Sequence, residues 1–334
     1  MNFITKHIKA LAIIVFFLVA GGVFAYTYLA KPYEESFFAL DTFISIRLYG
    51  KNARPAAQDV KTKIYEIENQ LSLYRPDSDV SQFNRLQPGE SVTLSESSAA
   101  LIAYSLELSE KTKGAFDPTL GALTQLWDVK NATAPPEDSE VSEKLRQCGP
   151  DKLSLSGRTL TKLMPVSLDL GGIAKGYATD QVRDILSSYG IEKGIVNLGG
   201  NVCIWGVKDK KKAWTVGIAD PFAPENVYLS VDAANTNLVT SGAYQRYFEY
   251  HGERYHHILS PGTGYPAKSD VASSTILSPD AALADALSTA VFVAGAEEGK
   301  KLADEMGVDY IIITQDHQVL QSQGVKTQLL EQLP

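Results

Sequence analysis

The chain has 334 residues, of which 44% are hydrophobic and 21% are charged, as is usual for a globular protein. Its 31 Lys and Arg residues against 39 Asp and Glu give a net charge of −8, which argues against nucleic acid or an anionic membrane surface as the main partner. The two cysteines, Cys148 and Cys203, lack the spacing of a zinc site, and we expect both thiols to be free.

The N-terminal segment is basic over its first nine residues and then apolar. The run from 10 to 30 contains no charged residue and is about long enough to cross a bilayer as a helix. Positive charge before such a run predicts a signal anchor with the remainder of the chain exported. A cleaved signal peptide is the alternative, because Val23-Phe24-Ala25 loosely fits a cleavage site. We therefore divide the chain into residues 1–32, the anchor or signal peptide, and residues 33–334, an extracytoplasmic body.

The first half of the body is predicted to alternate short strands with amphipathic helices. Residues Phe43–Leu48 alternate as a strand does, and apolar residues recur at helical spacing over Ala56–Leu71. Thr93 and Glu96 have the spacing of a capping box, which predicts a helix over Leu94–Lys113.

A glycine pair follows a short apolar segment in the middle of the chain. That segment carries Asp169, the pair is Gly171-Gly172, and a helix is predicted over Ile173–Tyr189. Paired glycines before a helix let a ligand approach the backbone closely. Lys175 lies in the first helical turn, where the helix dipole disfavours a cation, so a nearby anion would explain it. An ordinary turn with a solvated lysine is the alternative.

The second half of the body is predicted to contain further strands and helices. We expect Ser241-Gly242 to break a strand, and Tyr244–Leu259 to form a hairpin that turns at His251-Gly252. Ser278 is expected to cap a helix over 279–294 that begins with a proline.

Two oxygen-bearing side chains, Asp285 and Thr289, lie one turn apart on this helix. A carboxylate with a hydroxyl suits Mg²⁺, which takes few protein ligands together with substrate phosphates; the alternative is that Asp285 caps a helix or faces solvent. His256 and His257 should face opposite sides of a strand, so that one of them can face a site. The sequence contains no P-loop and no dinucleotide-binding fingerprint, so a nucleotide would have to be bound by a different motif.

Seven motifs, in their common order, resemble the FAD:protein FMN transferase (ApbE) family over about residues 38–314. They are Ser72-x-Tyr74 with Ser78-Asp79-Val80-Ser81-x-x-Asn84; Phe116-Asp117-Pro118-Thr119-Leu120-Gly121; Asp169-Leu170-Gly171-Gly172-Ile173-Ala174-Lys175-Gly176; Asn197-Leu198-Gly199-Gly200-Asn201; Thr240-Ser241-Gly242-x-Tyr244-x-Arg246; His257-Ile258-Leu259-x-Pro261-x-Thr263-Gly264; and Asp285-x-x-x-Thr289. Each motif alone is weak, whereas seven in order are specific. This chain has Leu40-Asp41-Thr42 where many family members have Met-Gly-Thr, and it lacks the lipoprotein cysteine of many members.

The resemblance implies a mixed α/β (α+β) body with a two-lobed ApbE-like fold, an FAD cleft between the lobes and a transmembrane helix in front. It implies an exported Mg²⁺-dependent enzyme that attaches FMN from FAD through a phosphoester bond to a Thr or Ser of an acceptor protein and releases AMP. The implied acceptors are FMN-binding domains of membrane or extracytoplasmic electron-transfer complexes. The body would lie on the periplasmic face or the exterior of a bacterial cell.

The resemblance also implies the site residues. Mg²⁺ would be held by Asp285, Thr289 and a backbone carbonyl at Gly172. The acceptor hydroxyl needs a base, for which His257 is our candidate and an aspartate at the metal is the rival. The residues expected to contact the flavin nucleotide are Leu40, Tyr74, Phe116, Asp117, Pro118, Thr119, Asp169, Lys175, His257 and Thr263.

Two other functions fit the same residue types. One is an FAD pyrophosphatase that passes FMN to water and yields FMN and AMP. The other is a non-catalytic FAD-binding protein of an exported redox system.

Overall fold

The computed structural model describes residues 31–208 and 212–329. The predicted N-terminal anchor lies outside these residues, and no helix within them is long and apolar enough to cross a membrane. They form one eight-stranded sheet, two three-stranded sheets and a two-stranded hairpin.

The elements of the described residues alternate strands and helices. The strands are β1 (Tyr33–Ala39), β2 (Thr42–Tyr49), β3 (Ser91–Thr93), β4 (Leu153–Ser156), β5 (Thr159–Lys162), β6 (Lys193–Leu198), β7 (Asn201–Trp205), β8 (Trp214–Ala219), β9 (Val227–Ala233), β10 (Thr236–Gly242), β11 (Tyr247–Tyr250), β12 (Glu253–His256), β13 (Val271–Ser278), β14 (Asp309–Thr314), β15 (Val319–Gln321) and β16 (Thr327–Leu329). The helices are α1 (Ala53–Leu71), α2 (Asp79–Arg85), α3 (Glu96–Lys111), α4 (Gly121–Trp127), α5 (Asp138–Leu145), α6 (Ala174–Ser188), α7 (Ala281–Ala294) and α8 (Ala296–Glu305), with a 3₁₀ turn at Pro150–Lys152.

The main sheet has the strand order β1-β2-β6-β7-β10-β13-β14-β15, and its ladders are antiparallel. Helices α1, α6 and α7 pack on one face, where alternate strand residues such as Ile44, Ile46 and Leu48 are buried. Because strand side chains alternate between faces, one residue in two on these strands can join this core.

The opposite face of the main sheet is covered over only part of its width. A small sheet of β8, β9 and β16 packs there against β7, β10 and β14. The buried side chains of this second core are Ile204, Leu238, Ile311, Ile313, Trp214, Ile218, Leu229, Val231, Ala233 and Val325. The outer residues of β1 and β2 are largely exposed. One end of the sheet is therefore open to solvent on this side.

Helix α7 lies at the centre of the helical layer. Its sequence is small and apolar nearly all round, as expected for a helix with neighbours on several sides. It packs on α6, α8, β10 and β13, and seven of the eight residues of β13 beneath it are buried. This packing places the polar residues of α7 inside the protein.

Two helices begin later than the sequence predicted. Thr93 is the last residue of β3, so Ser95 rather than Thr93 caps α3. Ser278 likewise ends β13, and Asp280 caps α7, so Pro279 precedes the helix instead of opening it. In both cases the predicted cap residue, Thr93 or Ser278, pairs with a neighbouring strand and stays extended. A later side chain therefore caps the helix.

The predicted strand break at Ser241-Gly242 is wrong. Strand β10 continues through both residues, which pair with Ser274 and Ser273 of β13. A Cβ at 242 would lie 2.3 Å from the ring of Tyr244, so glycine leaves room for that ring in its present position. The continuation carries Ser241 under α7.

Other expectations are confirmed. The helices predicted over 56–71 and 173–189 and the hairpin turning at His251-Gly252 are present with small changes at their ends. Both cysteines are free, and burial raises the pKa of Cys148 to about 12 and that of Cys203 to about 11.

Candidate active site

The carboxylate of Asp285 lies where α6 crosses α7. Its side chain is buried, and Oδ2 accepts the backbone N–H of Gly176 at 2.8 Å. A Cβ on Gly176 would lie 2.2 Å from the carbonyl oxygen of Ala281, so only glycine permits this approach of the two helices. The carboxylate therefore meets the N-terminal end of α6, where the helix dipole favours negative charge.

Lys175 supplies the cation of this cluster. Its Nζ lies 3.6 Å from Oδ1 of Asp285 and donates to the carbonyl of Gly171 at 3.4 Å. The expectation of an anion near Lys175 is thus met within the protein by the carboxylate of Asp285. The lysine side chain is 22% exposed, so it can also reach a ligand that enters from solvent.

The three predicted metal ligands come together at this crossing. A Cβ on Gly172 would lie 3.7 Å from Oγ1 of Thr289 and 3.2 Å from the ring of Phe116. Thr289 lies one helical turn from Asp285, and its Oγ1 is 3.4 Å from the Asp285 carbonyl oxygen. The glycine turn, the carboxylate and the hydroxyl therefore line one small region.

The hydroxyl of Ser241 joins the cluster, although Ser241 was not among the predicted site residues. Its Oγ lies 3.3 Å from Oγ1 of Thr289 and 2.8 Å from Oγ of Ser288, which donates to the carbonyl of Asp285. Ser241 was missed because Ser241-Gly242 was predicted to break the strand. Its place in the motif from Thr240 to Arg246 was the signal that could have found it.

The donor set consists of oxygen atoms around one carboxylate. In the part of the chain that the structure describes, no group of three or more His, Cys, Asp or Glu could hold a metal. A cation at Asp285 would instead take hydroxyl and carbonyl oxygens, water and ligand phosphates. Mg²⁺ binds in this way, because it retains waters and accepts few protein ligands, so the residues present fit Mg²⁺.

The ring of His257 is fixed by one carbonyl group. The oxygen of Arg246 accepts the backbone N–H of His257 at 3.1 Å and lies 3.2 Å from its Nδ1. Because a carbonyl only accepts, Nδ1 carries the ring proton and Nε2 is left as an acceptor. Burial, followed by the charges of Arg246 and Lys175, lowers the pKa of His257 to about 3, so the ring is neutral at pH 7.

His256 has a separate, structural environment. Its Nε2 lies 3.1 Å from the carbonyl oxygen of Ala267, and its ring packs edge-on against Phe292. Burial lowers the pKa of His256. The neighbouring histidines therefore have different partners, and His257 is the one near Lys175.

A tight turn between β1 and β2 reaches the same region. Leu40 and Asp41 both have left-handed backbone angles (φ 51° and 56°), as a two-residue type I′ hairpin turn requires. Asp41 bonds Lys130 at 2.6 Å through Oδ1, and its carbonyl accepts from Arg246 at 3.0 Å. Arg246 thus links this turn to His257.

Tyr74 and Asp169 lie near that turn. Asp169 accepts the N–H of Gly171 at 2.8 Å and the hydroxyl of Thr124 at 2.7 Å, which braces the glycine turn. Partial burial and the carboxylates of Asp169, Asp128 and Asp41 raise the pKa of Tyr74. The Tyr74 side chain is nevertheless 71% exposed, so its ring is available to a ligand at the mouth of the site.

The Phe116–Thr119 loop is held by bonds within itself and by bonds to neighbouring segments. Thr119 is buried, and its N–H and hydroxyl both donate to Oδ1 of Asp117 at 2.8 and 2.6 Å. The carbonyl of Pro118 accepts the N–H of Asp169 at 2.8 Å. The ring of Phe116 is thus the member that packs beside the glycine turn, while the side chains of Asp117 and Thr119 brace the loop.

Two other predicted contacts have different surroundings. The exposed Thr263 accepts the N–H of Tyr265, which is a bond within its own loop. The indole N–H of Trp127 holds the same loop by donating to the carbonyl of Gly264 at 2.7 Å. Leu40 is half-buried, and its N–H donates to Glu68 at 3.1 Å. The contacts of Thr263 and Leu40 with a flavin stay predictions.

The sequence model of the ApbE family matches residues 40–312. The chain belongs to this family. The FAD:protein FMN transferase of Treponema pallidum is 36% identical over 88% of this chain and 88% of the relative, and that of Vibrio cholerae is 33% identical over 76% and 78%.

Solved ApbE structures share the fold. The ApbE protein of Thermotoga maritima superposes with a TM-score of 0.82 at 35% identity, covering 88% of this chain and 98% of the other. The flavin transferase ApbE of Vibrio cholerae gives 0.79 at 28% identity, covering 88% and 97%. The expected mixed α+β ApbE fold is thus confirmed.

Proposed function

We propose that this chain is an FAD:protein FMN transferase, which moves FMN from FAD to a Thr or Ser hydroxyl of an acceptor protein and releases AMP. The observation that carries the proposal is the convergence of Gly172, Asp285 and Thr289 beside Lys175 and His257. The transferase names of the Treponema pallidum and Vibrio cholerae relatives support it.

The pyrophosphate of FAD needs positive charge, which this site offers from two protein sources. Lys175 presents an ammonium, and the N-terminal end of α6 adds a favourable helix dipole. Asp285, Thr289 and the Gly172 carbonyl would hold Mg²⁺. Bound there, Mg²⁺ supplies Lewis-acid neutralisation of the phosphates.

Transfer replaces the phosphoanhydride bond between the two phosphates of FAD with a phosphoester bond to the acceptor. The acceptor hydroxyl oxygen bonds to the FMN phosphorus, the bond to the bridging pyrophosphate oxygen breaks, and AMP leaves with that oxygen. Nε2 of His257 would take the hydroxyl proton. A pKa of about 3 makes the ring a weak base, but the phosphates of FAD would oppose the cations Arg246 and Lys175 that help to lower it.

We further propose that the body is exported and held at the membrane by residues 1–32. The acceptors would be FMN-binding domains of membrane or extracytoplasmic electron-transfer systems. The apolar run from 10 to 30 and its basic start support the membrane assignment.

Intact mass of an acceptor domain tests the function. The full-length protein in detergent is incubated with FAD, Mg²⁺ and an FMN-binding domain, with Asp285→Ala as control. We expect the acceptor to gain one FMN with the native chain and none with the variant. AMP and free FMN without labelling would instead establish the pyrophosphatase, and FAD bound without any product would establish a binding protein.

A further inference from the structure

The open face of the β1–β2 hairpin carries three cross-strand pairs. Glu34 and Arg47 form an ion pair at 2.6 Å, and Ser36 lies opposite Ser45. The third pair, Phe38 with Phe43, is aromatic. The first two pairs are those expected on a solvated strand face, whereas the third is not.

These two phenylalanines are unusually exposed. Phe38 is 53% and Phe43 is 78% exposed, and their rings meet edge to face with centroids 5.4 Å apart. The small sheet of β8, β9 and β16 covers the neighbouring part of this face and leaves the pair open. Adjacent exposed rings at one site are typical of an interaction surface, because their area stays in contact with water until a partner covers it.

The aromatic pair lies next to the mouth of the active site. Phe38 and Phe43 flank the four residues 39–42, whose turn at Leu40 and Asp41 is tied to Arg246. The carbonyl of Arg246 in turn holds His257. A protein that brings a hydroxyl to His257 can therefore contact these two rings.

The charges around the turn favour a neutral or acidic partner. Asp41 is balanced by two cations, since Lys130 lies 2.6 Å and Arg246 lies 3.5 Å from its carboxylate. These three side chains together carry one net positive charge on a chain whose total is −8. The total charge disfavours an anionic membrane as occupant, and a second copy seated here would cover the mouth.

We propose that Phe38 and Phe43 form the docking surface for the acceptor protein, which seats an apolar side chain on the two rings while its hydroxyl enters the site. The proposal rests on the transferase function. The rings serve acceptor binding alone, and the splitting of FAD does not depend on them.

Kinetics with a matched pair of variants test this surface. Phe38→Ser/Phe43→Ser copies the neighbouring serine pair, and Ser36→Ala/Ser45→Ala changes that pair as the control. With full-length protein and the FMN-binding acceptor domain as probe, we expect the first variant to raise the KM for the acceptor at least about ten-fold. The KM for FAD and the slow release of AMP without acceptor should stay within about two-fold of the native values.

The possible outcomes distinguish a failure of the docking surface from a failure of the transferase function. A native chain that labels no acceptor overturns both, whereas a labelling native chain with an unchanged acceptor KM in the serine variant overturns the docking surface alone. A second measurement does not depend on that variant folding: p-benzoylphenylalanine at position 43 should crosslink to the acceptor on illumination. A crosslink only to another copy of this chain or to lipid would contradict the proposal.

Discussion

The charge of Asp285 can be removed without removing its hydrogen-bond acceptor. Asp285→Asn keeps an oxygen for the Gly176 N–H, so we expect a small change in stability but a loss of FAD cleavage of roughly 10²–10³-fold. AMP release measured against Mg²⁺ concentration, with thermal unfolding alongside, checks this. Asp180→Asn is the control, because Asp180 accepts two N–H groups of α7 but is not a predicted ligand. Native Mg²⁺ dependence in Asp285→Asn would refute the metal assignment.

The depressed pKa of His257 makes the stability of the protein depend on pH. The unfolded chain binds a proton at this ring below about pH 6.5, whereas the folded chain does so only near pH 3. The contribution of the neutral ring is therefore present above pH 6.5 and is lost as the pH falls toward 3, by up to about 1.4 kcal/mol per pH unit.

His257→Asn should flatten this acid dependence, whereas His251→Asn in the exposed hairpin turn should leave it unchanged. The measurement is the free energy of unfolding from urea titrations between pH 4 and 8. Equal slopes in native protein and His257→Asn would contradict a ring that stays neutral in the folded protein.

Side-chain chemistry could be predicted from the sequence where it follows local spacing. Asp285 and Thr289 are one helical turn apart, so their proximity needs only a helix. Ser241 reaches the site because β10 pairs with β13. Arg246 reaches it through a hydrogen bond to the carbonyl of Asp41, which is 205 positions away in the chain. Such contacts depend on the whole fold, so the motif from Thr240 to Arg246 could point to these residues but not to their partners.

At the scale of elements, the crossing of α6 and α7 depends on one glycine. Gly176→Ala would place a Cβ 2.2 Å from the Ala281 carbonyl, and we expect overpacking to cost about 1–3 kcal/mol and to lower activity. Gly262→Ala is the control, because its nearest neighbour would be 3.8 Å away. Chemical denaturation and AMP release measure the two effects. A variant as stable and active as the native chain would show that the helices can separate freely.

The β1–β2 turn holds a leucine in a left-handed conformation, which costs roughly 1–2 kcal/mol. Leu40→Asn should relieve part of this strain and stabilise the protein by about 1 kcal/mol. If Leu40 contacts the flavin as predicted, the KM for FAD rises in the same variant. Leu163→Asn, at an exposed leucine with an ordinary φ, should gain no stability. A destabilised Leu40→Asn protein would contradict the strain argument.

The sequence predicted most elements and placed several of their ends wrongly. Apolar periodicity was sufficient for α1 and α6, because one face of each packs on the core. The start of α7 and the end of β10 were predicted wrongly, because both depend on the pairing of β10 with β13. That pairing holds Ser278 in the strand, so Ser278 cannot cap the helix. Helix caps beside a strand thus need the partner strand to be known.

For the whole molecule, the testable expectation is the role of the first thirty residues. Deleting residues 1–30 should move the protein from the membrane fraction to the soluble fraction while FAD cleavage is retained. Immunoblots of cell fractions and AMP release from each fraction are the measurements. A full-length chain found in the soluble fraction with its first residues intact would refute the anchor. The order of the eight main strands was beyond sequence reasoning, because it joins segments far apart in the chain.

The pairing of β2 with β6 has a consequence for biosynthesis. Residues 42–49 pair early with 33–39 but find their second neighbour only when 193–198 have been made, and the site also needs 281–294. Sheets built from such distant segments fold slowly, and a ribosome adds about 5–20 residues per second. A nascent chain therefore spends many seconds without a formed site, and FAD cleavage begins only after nearly the whole polypeptide has emerged.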